Sequence, residues 1–509
     1  MNHWETIKLK DVTKKVGSGA TPRGGFNSYK SSGIPLIRSM NVHFDGLRLE
    51  GLAYLDDKQA DELKNVEVQA DDVLLNITGA SIGRVTQAPK ELDGARVNQH
   101  VCIIRPIPVL DPHFLCKYLS SPSIQAMIMD KEYGGTRQAL TKQMILEFDI
   151  PIPPLNEQRR IVAKIEALKA RSQRVKEELE AIAPLLDQFR QSVLAAAFRG
   201  DLTADWREKN PDIEPASVLL ERIRAERRRR WEEAELEKMK AQGKTPKDDK
   251  WKEKYKKPES VDDSQLPELP DGWCWVTADE CTSLITDGEH ATPERSDEGV
   301  YLLSARNVLN GKLSFEKVDF VPEYVYQKLE KRLKLEAGDV LLSCSGTVGR
   351  SCVAPPALRC AFVRSVAILK PLFEMGEYLS LAIRSPYLQA QIEKKKTQTA
   401  QSNIFQGRIK TLAIPVAPFD EQKVIVRAIA QSFRMIENVE QVVEDAKNRG
   451  TNLDQSILAK AFRGELVPQD PNDEPASVLL ERIRAERENL DTKKKAKVDI
   501  LPGVNARGF

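Results

Sequence analysis

The sequence repeats itself, and this duplication limits the folds open to it more than any other feature. Residues Glu214 to Arg227 recur letter for letter as Glu474 to Arg487. Two further pairs of segments match at an unchanged displacement of 264 residues, namely Ile150–Gln158 with Ile414–Gln422 and Ser192–Leu202 with Ser456–Leu466. An internal repeat of this size predicts two related halves, each containing the same supersecondary units.

The regions that precede these constant segments are similar but less so. Their displacements vary between 264 and 271 residues, as expected when loops change length around a shared framework. The matching segments are Thr21-Pro22 with Thr292-Pro293, Ile34–Val42 with Val300–Val308, Asp72–Leu75 with Asp339–Leu342, and Gly83-Arg84 with Gly349-Arg350. At about 150 residues per domain, a chain of 509 residues accommodates two such variable regions plus an extended part.

Apolar residues recur at heptad spacing in both constant regions, which predicts two long antiparallel helices that pair as a coiled coil. Asn156 and Asp420 are N-cap candidates. Pro184, and Asn448 to Gly450 in the second copy, predict a kink or break, so that the helical arms cover residues 157–183 and 421–447. The seam residues are Ile161, Ile165, Leu168, Val175, Leu179, Ile425, Ile429, Ile436, Val439 and Val443.

The length of these arms suggests a use. Ile161 to Ile182 spans about 33 Å at about 1.5 Å per residue, which equals about ten base pairs of duplex at about 3.4 Å each. Such helices could hold two domains roughly one DNA turn apart. The helix that follows in each copy, identical over Glu214–Arg227 and Glu474–Arg487, is interpreted as a docking surface for a partner.

The charge balance excludes bulk attraction to a polyanion. The net charge is +2, and residues 1–155 and 268–418 each contain 18 basic and 18 acidic residues. Any DNA contact must therefore come from local groups. The sequence begins without an apolar signal region and has no run of about 18 apolar residues, which predicts a cytoplasmic protein with no membrane segment.

Polar, glycine-interrupted loops in both variable regions are the candidate DNA contacts, the alternative being ordinary surface loops. Arg and Lys suit guanine, and Asn and Gln suit adenine. The candidates in the first region are Thr21, Arg23, Arg38, Asn41, Thr78, Ser81, Arg84, Thr136, Arg137 and Gln138. The candidates in the second region are Thr292, Arg306, Asn307, Thr347, Arg350, Lys394, Lys395, Gln398 and Gln401.

Searches for catalytic and metal motifs find none. Gly19 to Gly24 has the spacing of a phosphate-binding loop, but Gly25 stands where the lysine belongs. The five histidines are scattered, and the seven cysteines include no C-x-x-C pair, which predicts buried, reduced thiols rather than a metal site. The sequence therefore predicts no catalytic residues, no metal site and no cofactor bound by this chain.

Taken together, these motifs resemble the specificity subunit of type I restriction-modification enzymes. The resemblance rests on the duplicated entry motif, which reads Pro-Leu-Asn-Glu-Gln158 and Pro-Phe-Asp-Glu-Gln422 and precedes a heptad helix in both halves. It also rests on the Asp-Val-Leu-Leu and Gly-Arg pairs of the variable regions. The loop at Gln401-Ser-Asn-Ile404 departs from the pattern, because it lacks the double glycine of the first copy.

The resemblance implies a division of labour. Each variable region would be a target recognition domain that reads one half of a split, asymmetric double-stranded DNA site, and the helices would fix the spacer. Two methyltransferase subunits that use S-adenosylmethionine would bind the constant regions. ATP-dependent motor-nuclease subunits, which use ATP and Mg, would complete the restriction complex.

We therefore predict an α+β fold of two similar mixed α/β target recognition domains separated by two long antiparallel helices, with a pseudo-two-fold repeat. An alternative function is a coiled-coil scaffold that joins two protein-binding domains. The predicted segments are target recognition domains at 1–155 and 268–418, conserved helical regions at 156–240 and 419–490, a charged linker at 241–267 and a tail at 491–509.

Overall fold

The computed structural model describes residues 4–22, 24–132, 139–246, 248–289, 291–397 and 402–485. The chain forms two compact units. Unit 1 takes its residues from 1–180 and 444–509, and unit 2 from 181–443. The unit boundaries therefore lie within the two long helices.

The first variable region consists of short strands and helices. They are β1 (Glu5–Lys8), β2 (Thr13–Ser18), β3 (Ile34–Ile37), β4 (Val42–His43), β5 (Gly46–Leu47), β6 (Ala53–Leu55), α1 (Asp57–Glu62), β7 (Val73–Asn76), β8 (Val85–Gln87), β9 (Arg96–Val97), β10 (Val101–Pro106), α2 (Pro112–Leu119), α3 (Pro122–Glu132), α4 (Lys142–Leu146) and β11 (Asp149–Ile152). A four-stranded antiparallel sheet, in the order β2-β10-β7-β8, lies next to a three-stranded sheet in the order β6-β3-β9. Two-stranded pairs β1-β11 and β4-β5 complete the strands that the structure describes there.

Helices connect this region to the second variable region, which has the same topology. The helices are α5 (Leu155–Arg199), α6 (Ala204–Glu208) and α7 (Ala216–Ala241). The second region contains β12 (Cys274–Thr277), β13 (Thr282–Asp287), β14 (Val300–Leu303), β15 (Val308–Leu309), β16 (Lys312–Leu313), β17 (Asp319–Val321), α8 (Glu323–Arg332), β18 (Val340–Ser343), β19 (Ser351–Val353), β20 (Cys360–Phe362), β21 (Val366–Pro371), α9 (Gly376–Arg384), α10 (Pro386–Lys395), α11 (Gln406–Lys410) and β22 (Ala413–Val416).

Sheet orders β13-β21-β18-β19 and β17-β14-β20 repeat those of the first region. The chain continues into α12 (Phe419–Phe462) and a helix over residues 476–485. No helix among the described residues is long and apolar enough to cross a membrane. The predicted α+β class and the duplicated topology are confirmed.

The four-stranded sheet of unit 1 lies between two hydrophobic cores, which explains its continuous apolar strands. Side chains alternate between the faces of a strand. Val73 and Leu75 of β7 face a core formed with helices, whereas Leu74 faces the core of the three-stranded sheet. Val340 and Leu341 divide in the same way in unit 2. A sheet covered on both faces needs apolar residues at successive positions.

The helical side of each core is shared by both halves of the repeat. In unit 1 the start of α5, the end of α12 and residues 479–483 pack against the sheet. In unit 2 the end of α5, residues 216–223 of α7 and the start of α12 do so. The helices run antiparallel within each unit, because the end of one and the start of the other enter the same core.

The repeated helix is therefore a packing element, and its interpretation as a docking surface alone was wrong. Its apolar face, Leu219 and Ile223 in one copy and Leu479 and Ile483 in the other, is buried within this chain. Its outer face, which includes Val218 and the matching Val478, is exposed. Only that outer face remains available to a partner.

The long helices are continuous, so the break, one of the two predicted alternatives beside a kink, does not occur. Pro184 lies inside α5, and Gly450 lies inside α12. A proline removes one backbone donor and disfavours the preceding turn, but the neighbouring turns are retained here. The predicted N-caps, Asn156 and Asp420, lie in the first turns, because each helix begins two residues before the predicted start of its arm, at Leu155 and Phe419.

The predicted heptad seam is buried or half-buried at most positions and exposed at two. Ile161, Ile165, Ile425, Ile429 and Ile436 are at most 1% exposed, and Val443 is 9% exposed. Leu168 and Leu179 are half-buried, whereas Val175 and Val439 are 59% and 43% exposed. The seam thus joins the sheet cores at Ile161, Ile165, Ile425 and Ile429. It is also buried in the middle of α12, at Ile436 and Val443, and leaves Val175 and Val439 exposed to solvent.

The segment predicted as a charged linker packs within unit 2. Trp251 is 8% exposed and stacks on Trp231 of α7, with ring centroids 6.0 Å apart. The Thr277 hydroxyl donates to the carbonyl oxygen of Glu259 at 3.0 Å. Tryptophan burial supplies the apolar area that keeps so charged a segment in place.

Candidate nucleic-acid interface

Strand ends bring the polar loops of unit 1 to one edge of the four-stranded sheet. Because neighbouring strands are antiparallel, the ends of β2 and β7 lie beside the beginnings of β10 and β8. The connections at this edge include residues 19–22, 77–84 and 98–100. Ala139, which follows the predicted contact residues Thr136 to Gln138 in sequence, pairs with Thr78. We call this edge polar edge 1.

A series of hydrogen-bonded side chains lies along polar edge 1. The Thr21 hydroxyl donates to Oε1 of Gln99, and Gln99 Nε2 lies 3.1 Å from Nε2 of His100. Nδ1 of His100 lies 2.5 Å from the Thr78 hydroxyl. Gln99 is exposed, and the other three are half-buried. Two residues that the sequence did not single out, Gln99 and His100, therefore connect two predicted loops.

A buried amide holds the second of these loops. Asn76 is fully buried, and its Nδ2 donates to the carbonyl oxygen of Ser39 at 2.8 Å and to the Ser81 hydroxyl at 3.1 Å. The predicted contact residue Ser81 is thus fixed from inside. Such support from a buried polar group keeps an exposed loop in one conformation.

A glycine is required directly after β2 in unit 1 and directly after β13 in unit 2. A Cβ atom on Gly19 would lie 1.6 Å from the carbonyl oxygen of Val97, and one on Gly288 would lie 2.4 Å from that of Phe362. Neither contact is compatible with a side chain. The first polar loop therefore passes closely over the neighbouring strand end in each unit.

Unit 2 presents the matching edge, polar edge 2. The ends of β13 and β18 lie beside the beginnings of β21 and β19. Ser345, in the loop after β18, pairs with Asn403, in the segment before α11. A cavity of about 370 Å³ opens here, and its lining includes Asp287, Ser345, Arg364, Asn403, Phe405 and Gln406.

Two residues that were predicted to contact bases, Asn41 and Asn307, are buried, and that prediction is wrong for both. Asn41 and Asn307 are completely buried. Oδ1 of Asn41 accepts from the backbone of Arg38 at 3.0 Å and its Nδ2 donates to the carbonyl oxygen of Arg48 at 2.9 Å. Asn307 makes the same two bonds within its own loop, with Ser304 and Ser314. Both side chains stabilise a loop and cannot reach a base edge.

The predicted arginines near these loops differ in what they contact. Arg38 donates to the carbonyl oxygen of Gly51 at 2.5 Å and lies over the ring of Tyr29, 5.4 Å from its centroid. Arg306 pairs with Asp319 at 2.9 Å and is half exposed. A surface pair of this kind is weak, so Arg306 could exchange Asp319 for a phosphate.

The remaining candidates are spread over both edges and their surroundings. Nζ of Lys395 donates to the Thr411 hydroxyl at 2.7 Å, so its charge is directed toward α11. Thr292, Thr347 and Lys394 are exposed, and Arg84 and Arg350 are half-buried. The predicted residues Arg23, Thr136, Arg137, Gln138, Gln398 and Gln401 lie outside the described residues. DNA contact by all of these remains a prediction.

Nothing in the described part of the chain forms a metal-binding cluster of His, Cys, Asp or Glu. The cysteines are free thiols, and burial raises the pKa of the Cys102, Cys281, Cys344, Cys352 and Cys360 thiols to about 12. A thiol with so high a pKa is not a nucleophile at neutral pH. These five cysteines act as small core residues, whereas Cys116 and Cys274 are half-buried.

The fold is similar to two solved structures. One, of the HsdS subunit from Thermoanaerobacter tengcongensis, covers 91% of this chain and 98% of its own length at 20% identity, with a TM-score of 0.52. The other, reported for complex assembly and conformational transition of the type I R-M system, has a TM-score of 0.59 at 21% identity and the same coverage. These similarities concern the fold.

Sequence comparison identifies the family. The type I restriction enzyme EcoBI specificity subunit of Escherichia coli is 25% identical over 506 residues, which cover 95% of this chain and 92% of that protein. The EcoKI specificity subunit of Escherichia coli strain K12 is 25% identical over 518 residues, covering 95% of both chains. The family model for the type I restriction modification DNA specificity domain matches residues 1–182 and 291–445. The chain belongs to this family of type I restriction-modification specificity proteins.

Proposed function

We propose that this chain reads a bipartite, asymmetric DNA site, with one variable region for each half. The duplicated polar edges are the observation that carries this proposal. They occupy the same position in equivalent sheets, but their exposed central residue differs, being Gln99 on one edge and Arg364 on the other. The half-buried residue that follows differs too, being His100 on one and Ser365 on the other. Equal scaffolds with unequal polar groups suit two different sequences.

The charge distribution agrees with recognition of a DNA sequence rather than with nonspecific attraction to the DNA backbone. Each variable region has equal numbers of acidic and basic residues, so nonspecific affinity for phosphate is low. Discrimination between sequences then depends on the loops. A DNA-binding role also agrees with the cytoplasmic location predicted from the sequence.

Catalysis is assigned to partners. The relatives are named as subunits of type I restriction enzymes, and this chain supplies the recognition role of such an enzyme. We propose two methyltransferase subunits that use S-adenosylmethionine, and motor-nuclease subunits that use ATP and Mg. The duplicated outer face of the repeated helix, with Val218 and Val478 at matching positions, gives two equivalent surfaces for two identical methyltransferase subunits.

Domain exchange tests the proposal. Replacing residues 1–155 by the corresponding region of a relative should change one half of the methylated sequence and leave the other half intact, as mapped by genome-wide methylation sequencing. Methylation irrespective of sequence, or dependence on one continuous site, would contradict the proposal. So would loss of all sequence-selective DNA retention at about 200 mM salt, which the scaffold alternative predicts.

A second variant tests the helices. Inserting four residues near Ser172 of α5 lengthens that helix by about 6 Å. We expect an altered spacer between the half-sites or failure to assemble with the methyltransferase. An unchanged spacer in an assembled complex would show that the length of α5 does not determine the distance between the half-sites.

A further inference from the structure

We propose that Gln99 and Arg364 are equivalent base-reading residues, so that unit 1 reads an adenine and unit 2 reads a guanine. This inference rests on the proposed DNA-reading function. Neither residue belongs to the loops that the sequence pattern singled out. Both lie in the short connection that precedes the central strand of their sheet, β10 or β21.

The register of the sheets establishes the equivalence. Cys102 pairs with Leu75 of β7, and Ala367 pairs with Leu342 of β18. On the other side of the central strand, Cys102 pairs with Ser18, the last residue of β2. Ala367 pairs in the same way with Asp287, the last residue of β13. Gln99 lies three positions before Cys102, and Arg364 lies three positions before Ala367. The two residues therefore occupy equivalent positions between equivalent loops.

The connection presents one exposed side chain and buries its neighbours. In unit 1, Val97 and Asn98 are buried, His100 is half-buried and Gln99 is exposed. In unit 2, Phe362 is buried, Val363 and Ser365 are half-buried and Arg364 is exposed. The exposed side chain at the centre of each edge is thus an amide in unit 1 and a guanidinium in unit 2.

Hydrogen bonds fix the connection in unit 1. Oδ1 of Asn98 accepts from the backbone of His100 at 3.1 Å, and the backbone of Asn98 donates to Ile37 at 3.1 Å. The Gln99 side chain itself contacts Thr21 and His100. A reading group held on a rigid support loses little conformational entropy on binding.

The connection in unit 2 is equally constrained. The Arg364 backbone donates to the carbonyl oxygen of Glu289 at 3.0 Å, and the carbonyl oxygen of Ser365 accepts from Cys344 at 2.8 Å. The Ser365 hydroxyl accepts from the backbone of Ala305 at 3.0 Å. The Arg364 guanidinium has no hydrogen bond or ion pair with any other residue that the structure describes, and its donors remain available.

The surroundings of Arg364 favour a base edge over a phosphate. The cavity beside it is also lined by Asp287, an acidic residue whose negative charge disfavours a phosphate there. Phe405, which is 60% exposed, supplies an apolar surface there for a base or a thymine methyl group. Arginine forms two hydrogen bonds with guanine, and glutamine two with adenine.

The experiment is a reciprocal exchange read out by selection from a random 40-base-pair duplex library. The full chain is used alone and assembled with its methyltransferase subunit, as wild type, Arg364→Gln and Gln99→Arg. We expect Arg364→Gln to lose a guanine preference in one half-site, with discrimination falling about 5- to 150-fold. Gln99→Arg should lose an adenine preference in the other half-site. Each variant should retain the other half.

Arg359→Gln is the matched control, because Arg359 is exposed on the same unit but lies next to the start of β20, in an ion pair with Glu323. It should leave the selected sequence unchanged. Both test residues are exposed, so the substitutions should fold, and retention of the unaltered half-site demonstrates this directly.

Three outcomes would overturn the inference. An unchanged selected sequence in either variant excludes that residue as a base reader. A uniform loss of affinity for all sequences, with the salt dependence reduced by about one charge, identifies a phosphate contact instead. A changed base in the wrong half excludes the pairing of residue and half-site. If wild type selects no sequence at all, the proposed function fails rather than this inference.

Discussion

Trp273 donates its indole N–H to the buried carboxylate of Glu421 at 2.9 Å. The same relationship occurs in unit 1, where Trp4 donates to Glu157 at 3.1 Å. Each pair joins the beginning of a variable region to the first turn of a long helix. The glutamate of the duplicated entry motif therefore fixes the point at which the helix leaves the sheet.

The two glutamates differ in their remaining partners, which predicts unequal sensitivity. Glu421 also contacts Thr203 at 2.6 Å and Arg207 at 2.5 Å, whereas the described contacts of Glu157 include no direct ion pair. Glu421→Gln leaves the partly buried Arg207 without a counter-charge and should cost about 3 kcal/mol. Glu157→Gln keeps an acceptor for Trp4 and should stay within about 1 kcal/mol of wild type.

Hydrogen exchange measured by mass spectrometry separates these effects, because peptides report on each unit individually. Protection should fall in unit 2 for Glu421→Gln and remain near wild type in unit 1 for Glu157→Gln. Equal losses in the two variants would show that the additional partners of Glu421 contribute nothing.

Acid titration should distinguish Glu157 from Asp473. Burial raises the pKa of Glu157 above its ordinary value of 4.5, so ionising it opposes folding. That cost is absent below pH 4.5, develops as the pH rises through the folded pKa, and is complete above it. Glu157→Gln should therefore become more stable relative to wild type between pH 4 and pH 7.

The pKa of Asp473 is shifted in the opposite direction from that of Glu157, so its effect on stability has the opposite dependence on pH. The hydrogen bond from Arg160, at 2.7 Å, lowers the pKa of Asp473 below its ordinary value of 3.8. Its stabilisation is present above pH 3.8 and is lost as the pH falls through the folded pKa. Asp473→Asn should thus be less stable than wild type at pH 7 and approach it at low pH. Urea unfolding across this range checks both slopes, and parallel slopes would contradict the assignment.

The sequence predicted the architecture better than the contact residues. The duplication, the long helices and two of the polar loops follow from local patterns. Asn41 was misjudged because a polar residue in a loop can face solvent or satisfy its own backbone, and only the bonds to Arg38 and Arg48 decide which. Gln99 and Arg364 were missed because their position depends on long-range strand pairing, such as β10 with β2.

The packing of the repeated helix was missed for the same reason. Its apolar positions predict a buried face but not the sheet that covers it. Residues 216–223 follow the first variable region in sequence but enter the core of unit 2. The signal that could have found this was the spacing of Leu219 and Ile223, four residues apart on one helical face.

A buried ion pair occupies equivalent positions in the two units with different cations. Arg105 binds both oxygens of Asp72 at 2.7 Å, and Lys370 binds Asp339 at 2.8 Å. Because the guanidinium makes two bonds in a fixed geometry, Arg105→Lys should cost about 1–2 kcal/mol. Lys370→Arg should cost less, since it retains a cation of sufficient length. Urea unfolding of both variants compares the two losses of unfolding free energy. A larger loss for Lys370→Arg than for Arg105→Lys would contradict this prediction.

The close passage of the first polar loop gives the sharpest test of polar edge 1. Gly19→Ala would place a Cβ atom 1.6 Å from the Val97 carbonyl oxygen, so the loop must move, at a cost of about 1–3 kcal/mol. We expect weaker discrimination at one DNA half-site, measured by duplex selection, because Thr21 would shift away from Gln99. Gly17→Ala, two residues earlier, has no atom within 4 Å of the new Cβ and should preserve discrimination. Gly288→Ala should impair the other half-site alone. Equal selection by the Gly17 and Gly19 variants would show that this edge does not read DNA.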